Sequence, residues 1–280
     1  MKDFILESVG KLDLAVWLLV VLFFCGSALM FEGNVQMAFI GSGGIIFEML
    51  LIGISIEIII EMLKSTKGIG TLTGFITNGP EAVCLIVGLL VGDIIFASST
   101  PLGSNFMNPI LLFFAAIASG SFAILLRTHR AYTIITVLLT ASLAVIFFVL
   151  QQQHYIFWVV AALIVSTVLF FLRPAEPLPG EAEQAIIESN FWLIPAIATL
   201  TIAGYFLDPV VSFAAEHSHA PKGVIGFVVL ATLTSWPEFK SSLSLLRRAK
   251  PAAAILNITV SNITNIWLAG GGIIFFLVSR

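Results

Sequence analysis

The sequence predicts an all-α polytopic membrane protein with about nine transmembrane helices and two inverted-topology repeats. Three observations carry that expectation. Hydrophobic residues make up 59% of the 280-residue chain and charged residues only 10%, a balance foreign to soluble domains of this length. The apolar residues gather in runs of about 20, the length at which a helix spans a hydrocarbon core. Two polar motifs also recur, one in each half of the chain, at matched spacing.

The first run, near residues 13–31, follows Lys2 and Lys11. Its apolar stretch is longer than the core of a cleavable leader, so residues 1–39 read as an additional N-terminal membrane helix. Runs near 40–63, 68–95, 101–121, 131–150 and 154–172 follow and form a first repeat half, residues 40–172. The segment RPAEPLPGEAEQAIIES is acidic and Pro-rich, and residues 173–189 read as a cytoplasmic linker. Runs near 190–207, 221–246 and 252–278 form a shortened second half, residues 190–280.

Basic residues test this order, because cytoplasmic loops collect Lys and Arg. With the N-terminus inside, Lys2, Lys11, Lys64, Lys67, Arg127, Arg130, Arg173, Arg247, Arg248 and Lys250 all fall on the inner side. Lys222 and Arg280 fall outside, and Lys240 lies within a run, which accounts for all 13 Lys and Arg. The asymmetry predicts a cytoplasmic N-terminus and an outer C-terminus, in a plasma or bacterial inner membrane.

Composition also excludes function classes. A net charge of -3 spread over few ionisable groups, with no lysine-rich run, argues against nucleic acid as a partner. Cys25 and Cys84 both sit in apolar runs, so neither a disulfide framework nor a thiolate metal cluster is expected. No HExxH or GxSxG motif occurs, and an enzyme is not expected. No cofactor is implied; the expected partners are cations, the lipid bilayer and a further copy of the chain.

The motif TNGPEA, residues 77–82, places a proline and a carboxylate inside a run that must cross the membrane. Pro lacks the amide a helix needs, and an ionised side chain at the bilayer centre costs at least about 2.5–3.5 kcal/mol. The second half contains LTSWPEFKS, with Pro237 and Glu238 in the same relation as Pro80 and Glu81. Thr77 and Thr234 stand four residues before each glutamate. Ser104, Asn105 and Asn108 in GSNFMN match Ser261, Asn262 and Asn265 in VSNITN, at identical distances after each glutamate. Chance does not account for such a register. The two glutamate runs are the third and the eighth, and an odd offset means that the copies cross the membrane in opposite directions. This is a plan of secondary transporters whose site lies at the midplane between the repeats.

Removing the proline amide leaves the carbonyl of Ile76 without a partner and loosens that of Thr77; Leu233 and Thr234 are the equivalents. Two carboxylates, freed carbonyls and nearby hydroxyls and amides make an all-oxygen set, which hard cations prefer. Two ionised glutamates neutralise one divalent ion. Two protons, or monovalent ions at the adjacent Ser, Thr and Asn, neutralise them equally, and that competition is what coupled transport requires.

These residues resemble the alpha repeats of the cation/calcium exchanger superfamily, sodium/calcium exchangers among them, in which a GTSxPE-like helix precedes a GNxxGSNxxN-like helix. The resemblance implies that Glu81 and Glu238 bind a transported cation, Ca²⁺ above all, and that Thr77 and Thr234 lend carbonyls. It implies counter-ion or helix-stitching roles for Ser104, Asn105, Asn108, Ser261, Asn262 and Asn265, with Na⁺ or H⁺ as counter-ion. Ser235 keeps the motif serine, and Asn78 replaces it in the first copy. Asn257 matches a ligand Asn/Asp of the second helix, and Thr100 stands in its place in the first. The family's plan is five plus five helices, whereas here one helix precedes the first copy and the second ends after its third.

The implied function is an alternating-access cation antiporter; the alternative is a non-transporting membrane scaffold or regulatory subunit with a degenerate exchanger fold. Glu48, Glu57 and Glu61 read as structural, with Glu57 a possible path-lining residue. Asp93 reads as a solvated helix end. Asp208, Glu216, His217 and His219 fall in an outer segment able to gather metal or sense pH. Lys240, two residues from Glu238, is either directed away from it or an internal counter-cation that opposes a divalent ion.

Overall fold

A computed structural model of the chain describes residues 9–92, 94–176, 190–220 and 232–279. It is all-helical among them, and eight helical segments are long and apolar enough to span a bilayer. The expected run at 221–246 would be the ninth; residues 221–231 lie outside the described ones. The protein is a polytopic membrane protein, as its composition predicts.

Helix α1, Lys11–Met30, opens at Gly10, whose amide donates to Asp13 Oδ2 at 2.8 Å. Helix α2, Val35–Leu63, begins five residues before the hydropathic edge because the Asn34 side chain accepts from the Met37 amide at 3.0 Å and fixes the first turn there. The third run is not one helix. It breaks into α3, Ile69–Ile76, and α4, Gly79–Val91, with Thr77 and Asn78 at the joint. The break moves Pro80 from a helix interior, where it would disrupt the ladder, into a first turn, where its missing amide costs nothing.

Four elements of the expected order follow, α5 (Ile94–Ala118), α7 (Arg130–Val149), α8 (Tyr155–Phe171) and α9 (Leu193–Ser218), with a short unexpected α6 (Phe122–Arg127) between the first two. Helix α9 corrects an expectation. Asp208-Pro209 reads as the end of a span at 207, yet the helix continues through Pro209 to Ser218 and stops at His219, whose φ is 51°. Packing along α2, the most extensive helix interface in the molecule, holds it together past the proline. Asp208, Glu216 and His217 therefore ride on a helix rather than in a loop. Helices α10 (Trp236–Arg247) and α11 (Pro251–Val278) complete the chain.

Side-chain contacts fix which ends lie together. Arg248 Nη1 reaches Glu61 Oε2 at 2.9 Å, and Lys250 Nζ donates to the Lys64 carbonyl at 2.6 Å, joining the end of α2 to the α10–α11 turn. The Glu176 carboxylate accepts from the amides of Gly70 and Thr71 at 3.0 Å each, joining the start of the linker to the start of α3. Tyr132 donates to the Leu169 carbonyl at 3.3 Å, which adds the start of α7 to that end. The basic loops thus share one end of the bundle. Consequently α3–α4 leaves the basic end while α10 arrives at it, and the two glutamate helices are antiparallel, as an inverted repeat requires.

Helix α11 is the central post, buried along most of its length and packed by α3, α5, α7, α8 and α10. Gly70 and Gly74, one turn apart on α3, face it so closely that a Cβ at Gly74 would stand 2.7 Å from the Asn257 carbonyl. Small residues of this kind let two backbones approach in a membrane, where dispersion replaces the hydrophobic effect. The extra helix α1 lies against α2 and α9.

Candidate cation site

The two glutamates occupy equivalent places on two equivalent half-helices. Glu81 is the third residue of α4 and Glu238 the third of α10, each following a proline. The residues before the two helices match in conformation, Asn78 at φ -84°, ψ 6° and Ser235 at φ -88°, ψ 18°. A helix N-terminus carries a partial positive charge and unpaired amides, so both carboxylates sit where the backbone favours an anion. Both are buried, at 1% and 0% exposure. They lie close enough to interact electrostatically, and Thr77, at the α3–α4 joint, lies beside Glu238. No backbone amide among the described residues donates to the Ile76 or Thr77 carbonyl, in keeping with the break that Pro80 creates.

The second helix of each repeat closes the site with the same atoms. Ser104 Oγ on α5 is 3.3 Å from Glu81 Oε1, and Ser261 Oγ on α11 is 3.4 Å from Glu238 Oε1. In each glutamate the other oxygen, Oε2, is buried without a hydrogen-bond partner. Behind the serines the repeats interlock. Asn105 Nδ2 donates to the Asn262 carbonyl and Asn262 Nδ2 to the Asn105 carbonyl, both at 3.3 Å. Asn108 Nδ2 donates to Asn262 Oδ1 at 3.0 Å, and Asn265 Nδ2 to Asn105 Oδ1 at 3.2 Å. These four bonds obey one pseudo-two-fold axis. They leave Oδ1 of Asn108 and of Asn265 as buried acceptors without a partner, as Oε2 of each glutamate is. A buried oxygen without a donor is costly, and a cation is the partner such oxygens suit.

Residues 189–279 match the family model described as sodium/calcium exchanger protein. Over this last third the chain is similar to sodium/calcium exchangers of the cation/calcium exchanger superfamily. That family consists of transporters, and the similarity supports a cation-exchanger type of function in general terms. No curated protein and no solved structure matches the chain. The match takes in α9, α10 and α11, hence Glu238, Ser261, Asn262 and Asn265.

The symmetry of the site fails where the sequence departs from the repeat. Asn78, in place of the motif serine, reaches across to α11: its Nδ2 donates to the Ser261 carbonyl at 3.0 Å and its Oδ1 accepts from Ser261 Oγ at 2.8 Å. The single proton of Ser261 is therefore drawn to Asn78 more than to Glu238. Ser235, the shorter equivalent, is buried with an unpartnered hydroxyl. Asn257 donates to Ser241 Oγ at 2.7 Å and to Ser242 Oγ at 3.2 Å, tying α11 to α10. Thr100 is half-buried and its carbonyl accepts from Ser104 at 3.2 Å. Thr234 is half-buried at the entry to α10.

The remaining ionisable residues separate from this centre. Lys240 is directed to Asp13 on α1, with Nζ–O distances of 2.9 and 3.1 Å, and not to Glu238. Glu57 and Glu61 join Lys64, Ser244 and Arg248 in a network at the basic end. His217 and His219 turn their Nδ1 atoms to different carbonyls, those of Phe213 and Phe31. Among the described residues no group of three or more His, Cys, Asp or Glu is placed to hold a metal. Asp93 lies outside the described residues. The sequence reading did not find Asp13 or Glu176. An acid in the first turn of one span and a lysine inside another was the available signal for the first, since charges within membranes pair.

Proposed function

We propose that this protein is an alternating-access antiporter that exchanges Ca²⁺ or a related cation against Na⁺ or H⁺ at the Glu81/Glu238 site. The observation that carries the reading is the pair of buried carboxylates on opposed half-helices, each with the serine of its own repeat within 3.4 Å of Oε1 and each with Oε2 without a hydrogen-bond partner. Two ionised carboxylates match one divalent charge, and the all-oxygen surroundings suit a hard cation. The inverted repeats supply two equivalent arrangements, in which the site opens first to one side of the membrane and then to the other. Protonation of both glutamates, or monovalent ions beside Ser104 and Ser261, discharges the same pair and drives the exchange. By the distribution of basic residues, the basic end faces the cytoplasm.

The test is uptake of radioactive calcium into proteoliposomes under an imposed Na⁺ gradient and, separately, a pH gradient. Uptake driven by one gradient, and abolished in both Glu81→Gln and Glu238→Gln, is the expected result and names the counter-ion. Absence of gradient-driven uptake by correctly inserted protein removes calcium exchange.

A further inference from the structure

Lys240 poses a problem for any cation site built on Glu238. Two residues along one helix place the two side chains on opposite faces, so the ammonium stands about one helix diameter, roughly 10–12 Å, from the carboxylate. Lys240 is 2% exposed. In such surroundings a positive charge acts over that distance and repels an incoming cation. The structure answers the problem with a residue from outside the repeats. Asp13, on α1, receives Lys240 Nζ on both oxygens and is itself buried. The Gly10 amide holds the same carboxylate at 2.8 Å, and Gly53 on α2 leaves the lysine its path, since a Cβ there would stand 3.3 Å from Lys240 Cε.

We propose that Asp13 is a positioning residue for the cation site: by holding and neutralising the Lys240 ammonium it keeps the net charge felt between Glu81 and Glu238 negative. The extra N-terminal helix thus sets the cation affinity of a site it does not touch. The inference rests on the two-glutamate reading.

Its signature is dependence on valence. Removing the Asp13 charge from beside that ammonium weakens binding of a monovalent cation about three- to tenfold and of a divalent cation by the square of that factor, about ten- to a hundredfold. Purified full-length protein is titrated with Ca²⁺, Mn²⁺, Na⁺ and K⁺ and the dissociation constants are read by calorimetry, with Glu238→Gln to identify the ions held at the site. Asp13→Asn should weaken those ions in proportion to the square law, and the double variant Asp13→Asn, Lys240→Met should return to within about twofold of the parent. A purely structural role of Asp13 would not distinguish Ca²⁺ from Na⁺. If Asp13→Asn does not yield folded protein, Lys240→Met alone decides. It should tighten divalent binding more than monovalent, and unchanged affinities overturn the proposal. Equal weakening for both valences in Asp13→Asn, or a double variant as weak as the single one, also overturns it. If no ion binds the parent protein, or Glu238→Gln binds as the parent does, the two-glutamate reading fails first and this inference with it.

Discussion

Asn105 and Asn262 exchange side-chain amides for backbone carbonyls, each donating to the other at 3.3 Å across the axis that relates the two repeats. The pair is the structural hinge-pin of the site, because the serines that hold the glutamates immediately precede these two residues. Replacing either asparagine with alanine should destabilise the folded protein by about 1–2 kcal/mol, since a buried carbonyl loses its donor. A double-mutant cycle should return a coupling of about 0.5–1.5 kcal/mol, the range found for polar contacts between membrane helices, and reversible unfolding in mixed detergent micelles measures it.

Ser104 and Ser261 occupy equivalent positions but carry unequal loads. Ser261 also joins Asn78 at 2.8 Å and receives Asn108 Nδ2 at 3.1 Å, whereas Ser104 adds only the Thr100 carbonyl. Ser261→Ala should therefore cost about 1 kcal/mol more stability than Ser104→Ala. Equal melting temperatures for the two variants would contradict the asymmetry described at Asn78.

Gly74 has no room for a methyl group, with the Asn257 carbonyl at 2.7 Å from a built Cβ. Gly74→Ala should force α3 away from α11 and destabilise the protein by about 1–3 kcal/mol. Gly103, where nothing lies within 4 Å, is the control: alanine there should be neutral or mildly stabilising. Parallel thermal unfolding of the two variants makes the comparison.

Glu61 is buried between Lys64 Nζ at 2.8 Å and Arg248 Nη1 at 2.9 Å. Glu61→Gln removes the anion shared by the two cations, with Arg248 keeping Glu57 at 3.5 Å, at a cost of about 2–3 kcal/mol once the partial exposure of Arg248 is allowed for. Adding Arg248→Met should recover about half of it. Denaturant midpoints of the single and double variants test the recovery.

Much of the fold was legible because membranes leave a strong trace in sequence. Apolar runs of fixed length marked the spans, and the Pro-Glu pairs marked the broken helices, since neither residue survives in a hydrocarbon core without a reason. The antiparallel arrangement followed from counting spans between Glu81 and Glu238. What stayed hidden depends on partners far apart in the chain: Asn78 with Ser261, Glu176 with the first amides of α3, and Asp13 with Lys240. No local pattern encodes such pairs, because packing alone brings them together. Asn257 is the instructive case. The resemblance gave it a counter-ion or helix-stitching role; its Nδ2 stitches α11 to Ser241 and Ser242, polar residues whose counterparts in the first copy are Cys84 and Leu85, while its Oδ1 is a buried acceptor without a partner.

The reciprocal amides of α5 and α11 also bear on biogenesis. Asn105 and Asn108 find their partners 153 to 160 residues later in the chain. At ribosomal speeds of about 5–20 residues per second, the first half dwells in the bilayer for roughly 8–30 s before α11 emerges. Throughout that interval the polar face of α5 needs a temporary host, in the insertion machinery or in bound water. The polar face of α5 is therefore satisfied only once α11 is made, and a chain stalled before residue 251 should be held by the translocation apparatus rather than released into lipid.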